Sequence, residues 1–114
     1  MNPTPPLTSR HCTRQGVALD GATIATLLHE VPGWSVADNV LARTFTLPDY
    51  RATMAFVNAV ATLAEHEDHH PEMTVGYTTC RVSWTTHSAG SALSDNDFIC
   101  AAKANALYLN QETA

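Results

Sequence analysis

Six consecutive residues, Glu65-His66-Glu67-Asp68-His69-His70, hold three histidines and three carboxylates, and Pro71 follows at once. Histidine titrates close to neutral pH, so this density of proton-exchanging side chains poses a chemical question before a structural one. Three readings fit the residues. A metal ion is the first, since His66 and His70, or Glu65 and His69, are spaced i, i+4 and share a helical face. Against it, no second dense ligand group follows. Metal-free acid–base catalysis is the second. A reaction that expels hydroxide from carbon needs a proton donor at the departing oxygen and an acceptor for another proton, each contact contributing roughly 10²–10⁴ in rate. Glu65 or Asp68 would then fix the tautomer of a neighbouring imidazole. The third is a polar helix end whose histidines favour water and the helix C-terminus, which suits His11, His29 and His66 taken singly. No serine or cysteine is paired with a general-base motif, which disfavours covalent catalysis.

The elements that must position this cluster are legible around it. Pro48-Asp49 opens a helix with Asp49 as N-cap. Phe56, Val57, Val60, Leu63 and Ala64 form its apolar stripe. The helix cannot easily run past His69, because the residue before a proline is pushed out of the α region. Glu65 to His70 therefore sit on its last turn and exit. MTVGYTTCRVSWTT, residues 73–86, alternates and is rich in Val, Thr, Tyr and Trp, which predicts a hairpin turning near Thr78 to Cys80, with Tyr77 and Trp84 in the sheet core. Antiparallel strands lie only about 5 Å apart, so a chain that leaves at Pro71 and returns at His87 comes back to the same sheet edge. His69 and His70 on one side and His87 on the other are expected to form two halves of one pocket.

Upstream, Asp20 caps a helix whose Ile24, Leu27, Leu28 and Val31 share a face, and Pro32-Gly33 stops it. Two short strands around a turn at Asp38-Asn39 follow. Downstream, HSAGSAL reads as a loop. Ser94 and Asp97 form a capping box at the start of a C-terminal helix bearing Phe98, Ile99, Ala102, Ala106 and Leu109. The order helix, two strands, helix, two strands, helix predicts an α+β fold, a four-stranded antiparallel sheet with three helices packed on one face. The bare face and the edge strands call for a partner subunit, so a homo-oligomer is expected.

At 114 residues the chain is long enough for one domain. Residues 1–18, with Pro3, Pro5 and Pro6, read as a loosely ordered arm, and residues 19–114 as the single domain. The chain is 45% hydrophobic and 15% charged, with a formal charge of −5. One lysine and five scattered arginines make a poor nucleic-acid surface, which wants clustered cations. No apolar run approaches the roughly 20 residues of a membrane span, and no signal peptide is evident, so no membrane partner and a cytoplasmic location are expected. Cys12, Cys80 and Cys100 have neither CxxC nor finger spacing and read as ordinary reduced thiols.

The spacing Glu65-x-x-x-His69-His70-Pro71, then Tyr77, His87 and Asp97, resembles the signature of the pterin-4a-carbinolamine dehydratases. The segments PGWSV, EDHHPE, TTH and LSDNDFICAAK look like family segments in order, and the resemblance runs from Asp20 to Leu109. It implies the same α+β fold, as homodimers or homotetramers. It also implies dehydration of 4a-hydroxytetrahydrobiopterin to quinonoid dihydropterin with no metal or cofactor, recycling the pterin of aromatic amino acid hydroxylases. By the resemblance, Asp68, His69, His70, Thr85, Thr86 and His87 would surround a small-molecule pterin. His69 and His87 would be the acid–base pair, His70 would orient substrate, and Glu65 would steady the histidines. Asp97 would serve the substrate site, the capping box, or both. Many family members have tryptophan where this chain has Met73, so aromatic contact with the pterin is expected to be weaker here. Some relatives on this fold act as dimerisation or assembly partners of other proteins, which is the alternative to catalysis.

Overall fold

Asp20 opens the first helix: its carboxylate accepts a hydrogen bond from Thr23 N at 2.8 Å, satisfying one of the orphan amides of the first turn. The computed structural model describes residues 5–14, 16–90 and 92–113. Helix α1 (Gly21–Leu28) ends before Pro32, and Gly33 turns the chain with φ 89°. That φ is one L side chains rarely adopt, so glycine suits the turn, and a Cβ there would also press on the Arg43 side chain, 2.7 Å away. Val31, expected on the helical face, lies just past the helix end but is fully buried in the common core.

Strands β1 (Ser35–Ala37) and β2 (Val40–Thr46) pair antiparallel across Asp38 and Asn39. Both turn residues have positive φ, 51° and 61°, the pattern that matches the twist of a two-residue hairpin. Helix α2 (Tyr50–Glu67) starts where Asp49 accepts from Ala52 N at 2.8 Å. Its Phe56, Val60 and Ala64 are buried as the stripe requires, with Val57 and Leu63 half-buried beside them. Phe56 meets Phe45 of β2 at a ring separation of 4.6 Å, so the stripe lies on the sheet.

Strands β3 (Glu72–Val75) and β4 (Thr79–Trp84) complete an antiparallel sheet of order β1-β2-β4-β3. The hairpin reverses at residues 76–78, slightly earlier than the expected Thr78 to Cys80, because Cys80 is held in the ladder opposite both Phe45 and Val75. That register settles the two aromatic residues. Trp84 is 1% exposed and belongs to the core, whereas Tyr77 falls on the turn, is 74% exposed, and rests its ring near Tyr50 at 6.3 Å. The core assignment of Tyr77 is thus corrected by the position of the turn. Helix α3 (Asp95–Thr113) packs against α2 and β2, and α1 contributes Leu27 to the same core. The architecture is the expected α+β arrangement, α-β-β-α-β-β-α with a four-stranded antiparallel sheet.

Within the segment read as a loosely ordered arm, residues 1–4 and 15 lie outside the described residues, while residues 5–14 run along the beginning of α3. A single 3₁₀ turn (Leu7–Ser9) buries Leu7 in the core, and Arg10 pairs with Asp95 at 3.0 Å. The Asn96 side chain reads the arm backbone from both sides, accepting from Thr13 N at 3.0 Å and donating to Thr13 O at 2.9 Å. No helix among the described residues is long and apolar enough to cross a membrane.

Candidate active site

The end of α2 is shaped by its backbone. Asp68 takes a left-handed conformation, φ 50° and ψ 44°, which the short polar side chain of Asp tolerates better than most. Asp68 N then donates to Glu65 O and His69 N to Ala64 O, the paired bonds of a Schellman terminus. His69 leaves the helix in a fixed direction, and Pro71 prevents any further turn.

His69 is held by three contacts from two neighbours. Its Nε2 lies 2.7 Å from Asp97 Oδ1, its ring stacks on Trp84 with 16° between the planes, and Trp84 Nε1 donates to its backbone oxygen at 3.1 Å. Asp97 is fully buried. Its other oxygen, Oδ2, accepts from Thr86 Oγ1 at 2.7 Å and from Ser94 N at 2.9 Å. Ser94 Oγ meets Thr86 Oγ1 at 2.7 Å and accepts from Asn96 N. The capping box and the histidine contact are therefore not rivals: one carboxylate performs both, with a different oxygen for each. A carboxylate this buried stands only because both oxygens are satisfied. An ionised carboxylate can only accept, so Asp97 fixes a proton on His69 Nε2 and leaves Nδ1 as the nitrogen that can accept one.

His70 Nε2 lies 3.0 Å from Glu65 Oε1, both side chains being exposed, so Glu65 orients His70 rather than His69. His87 begins a short 3₁₀ turn (His87–Ala89) just beyond β4. Thr85 donates to Asn39 O at 2.8 Å, tying this exit to the β1–β2 turn. His69, His70 and His87 line one cavity of about 370 Å³, together with Asp68, Thr85 and Thr86. Glu65 acts on its rim through His70, and Asp97 stands behind its wall through His69. Among the described residues, no three His, Cys, Asp or Glu side chains are grouped so as to hold a metal ion.

The cavity has a second wall that the sequence did not disclose. Cys12, Thr13 and Arg14 of the N-terminal segment also line it, and so does Glu67. Glu67, the middle carboxylate of the opening cluster, is turned away from solvent with only 4% of its side chain exposed. Lys103 Nζ donates to it at 2.7 Å, Cys12 N at 2.7 Å, and His11 Nδ1 lies 3.0 Å away. It fastens the arm to α2 and α3. Burial is the largest single influence on its acidity and works against the charge. Hydrogen bonds from Lys103, the Cys12 amide and His11, with the Lys103 charge, outweigh it and bring the pKa from 4.5 down to about 2. The partner that identifies Glu67 is 36 residues away, so no local pattern could have singled it out.

A pH dependence follows. The folded pKa lies below the unfolded one, so the stabilisation is complete above about pH 4.5 and is lost as pH falls through about 2. A shift of this size corresponds to on the order of 3 kcal/mol. Thermal melts of Glu67→Gln are expected to show lower stability than the parent at neutral pH and a gap that narrows steadily between pH 4.5 and 2. A gap independent of pH would show that Glu67 does not bear its charge in the fold.

The domain is thus an α+β sheet-and-helix fold whose cavity gathers three histidines, one of them backed by a buried carboxylate, side chains of the type that exchange protons near neutral pH. Comparison with known proteins gives the family. Residues 17–107 match the family model described as pterin 4 alpha carbinolamine dehydratase, and the chain belongs to that family. A Nitrosomonas eutropha protein, provisionally named a pterin-4-alpha-carbinolamine dehydratase, is 58% identical over 78 residues, 68% of each chain. One from Xanthomonas oryzae pv. oryzae, named in the same provisional way, is 50% identical over 108 residues, 90% of this chain and 91% of its own. Among solved structures, a Brucella melitensis protein titled transcriptional coactivator/pterin dehydratase superposes with a TM-score of 0.75 at 29% identity, over 79% of this chain and 97% of that one.

Proposed function

We propose that the protein is a 4a-hydroxytetrahydrobiopterin dehydratase, releasing quinonoid dihydropterin and water and so recycling the pterin of aromatic amino acid hydroxylases. The observation that carries this reading is the anchored His69 facing a cavity that His70 and His87 share, in a chain of this family. A cavity of about 370 Å³ falls in the range that encloses a small heterocycle.

In this reading one imidazole gives a proton to the 4a-hydroxyl as the C4a–O bond breaks, and another takes the proton from the ring nitrogen. The two transfers balance, so the enzyme ends each turnover in its starting protonation after the histidines exchange a proton with water. His69 and His87 are the pair, and His70, oriented by Glu65, binds the pterin. Asp68, Thr85 and Thr86 bound the site, although Thr86 also keeps Asp97 in place. Protons are moved and water leaves with no net oxidation or reduction, so the chemistry calls on no cofactor. We place the protein in the cytoplasm as a homodimer or homotetramer, since β1 and β3 are sheet edges that a partner can extend.

The test is direct. Carbinolamine generated in situ should lose water faster with the purified protein than in buffer, in a stopped-flow trace at neutral pH. Decay indistinguishable from the buffer blank would remove the assignment. A second reading is favoured by the Brucella neighbour, whose title names a coactivator beside a dehydratase. In that case the protein would hold a protein partner with no turnover, and a stoichiometric partner recovered with an inactive protein would mark it.

A further inference from the structure

Two of the three cysteines, 88 positions apart in sequence, meet at the arm. Cys12 Sγ lies 3.6 Å from Cys100 Sγ and also within reach of Asn96 O at 3.6 Å. Cys12 is half-buried and lines the cavity, so reagents in solution can reach it. Cys100 sits on α3 with no exposure, directly behind it. Cys80 is also fully buried but belongs to β4, within the sheet. A disulfide bond is about 2.05 Å long, so the pair must close by about 1.5 Å. The arm can supply that movement, because Cys12 lies in a segment with no regular secondary structure of its own.

We propose that Cys12 and Cys100 are a reversible disulfide pair, oxidised by low-molecular-weight disulfides and locking the N-terminal arm onto α3 as a wall of the cavity. The exposed partner must react first. The Cys12 thiolate attacks one sulfur of the small disulfide, forming a mixed disulfide and expelling one thiolate. Cys100 then gives up its proton and attacks Cys12 Sγ, expelling the second thiolate. Two protein thiols lose two electrons, and the small disulfide becomes two thiols. In the reduced protein the Cys100 thiol is pushed up, first by its hydrogen bond with Cys12, then by burial, then by the charges around it. The mixed disulfide removes the hydrogen bond and any negative charge at Cys12, so the first step prepares the second. Cys80, fully buried in β4 and pushed up by that burial, is not part of the pair and stays a thiol.

The closed loop is long, and constraining it should raise the melting temperature by on the order of 10 °C if the bond forms without strain. The experiment treats the full reduced chain with oxidised glutathione and follows intact mass, peptide mapping, thermal melting and tryptic cleavage after Arg14. The expected product is lighter by two hydrogens, carries a Cys12–Cys100 cross-linked peptide, melts higher, and is cut several-fold more slowly in the arm. All four changes should reverse with dithiothreitol and be absent in Cys12→Ser. Cys100→Ser should stop at a glutathione adduct on Cys12, and Cys80→Ser should oxidise as the parent does. The proposal is overturned by a stable adduct on Cys12 with Cys100 still alkylatable, by a cross-link through Cys80, or by no reaction in excess reagent. None of these readouts involves turnover, so they decide the disulfide independently of the dehydratase assignment.

Discussion

Asp97→Asn is expected to lower kcat by roughly 10²–10⁴ while leaving the fold close to that of the parent. The two oxygens of Asp97 have different partners. Ser94 N is a donor that cannot be reversed, and it points at Oδ2 together with Thr86 Oγ1. An asparagine at position 97 must therefore place its carbonyl there to keep the helix capped. Its amide nitrogen then occupies the place of Oδ1, 2.7 Å from His69 Nε2. A donor now faces the nitrogen that previously donated, and His69 must move its proton to Nδ1. The nitrogen available to the substrate changes from acceptor to donor, and an imidazolium is disfavoured because Nε2–H would meet an N–H. Base and acid roles are both impaired, whichever His69 plays. The capping bonds survive, so urea denaturation should report a change of about 1 kcal/mol or less. Asp97→Ala should cost about 2–4 kcal/mol, since it removes a cap and strands Thr86, Ser94 and His69 in a buried site. Nitrogen NMR of the imidazole distinguishes the tautomers. An Asp97→Asn protein with the inverted tautomer and parental kcat would show that His69 moves no proton in the rate-determining step.

The histidine side of the cavity was more legible than its other walls, and the reason is distance. Helix ends announce themselves locally: Asp20, Asp49 and Ser94 each cap within three residues, and Pro71 stands four residues beyond the last residue of α2. The double positive φ at Asp38 and Asn39 follows from a turn-forming pair between two alternating runs. Even the meeting of His87 with His69 and His70 was accessible, because a hairpin converts sequence separation into proximity by a simple geometric rule. The turn itself was shifted by a few residues, since alternation marks the strands but not which residues close the ladder. Tyr77 was misplaced for that reason alone. Glu67, Cys12 and Asn96 had no comparable signature. Their roles depend on an arm with little secondary structure meeting helices tens of residues away, through side-chain contacts that no periodicity encodes. In the cluster Glu65 to His70, alternate carboxylates face different ways. Glu65 points to His70 at the surface, and Glu67 turns inward to Lys103. Sequence shows the density of the cluster but not this division.

His87→Ala should be the cleaner of the two histidine tests, and its expected loss is again roughly 10²–10⁴ in kcat with unchanged stability. The contrast with His69 is structural. His69 is 13% exposed in its side chain, stacks on Trp84 and satisfies one oxygen of a buried carboxylate, so His69→Ala also leaves Asp97 Oδ1 unpaired and should cost about 1–3 kcal/mol. His87 lies on an exposed 3₁₀ turn, away from the core, where truncation opens no buried cavity and is expected to cost about 1 kcal/mol or less. A rate loss in a His87→Ala protein that melts close to the parent cannot be ascribed to unfolding. Added imidazole should restore part of it, because the truncation leaves room in a cavity that is open to solvent and the missing function is a proton carrier. The double variant supplies the sharper criterion. If His69 and His87 handle the two protons of one dehydration event, the two losses should fall well short of multiplying, as they do for residues that act as a unit. Strict multiplication would instead mean that the two imidazoles lower the barrier independently of each other. Parental rates in both single variants, with both folded, would dispose of histidine acid–base catalysis and leave the cavity as a binding site.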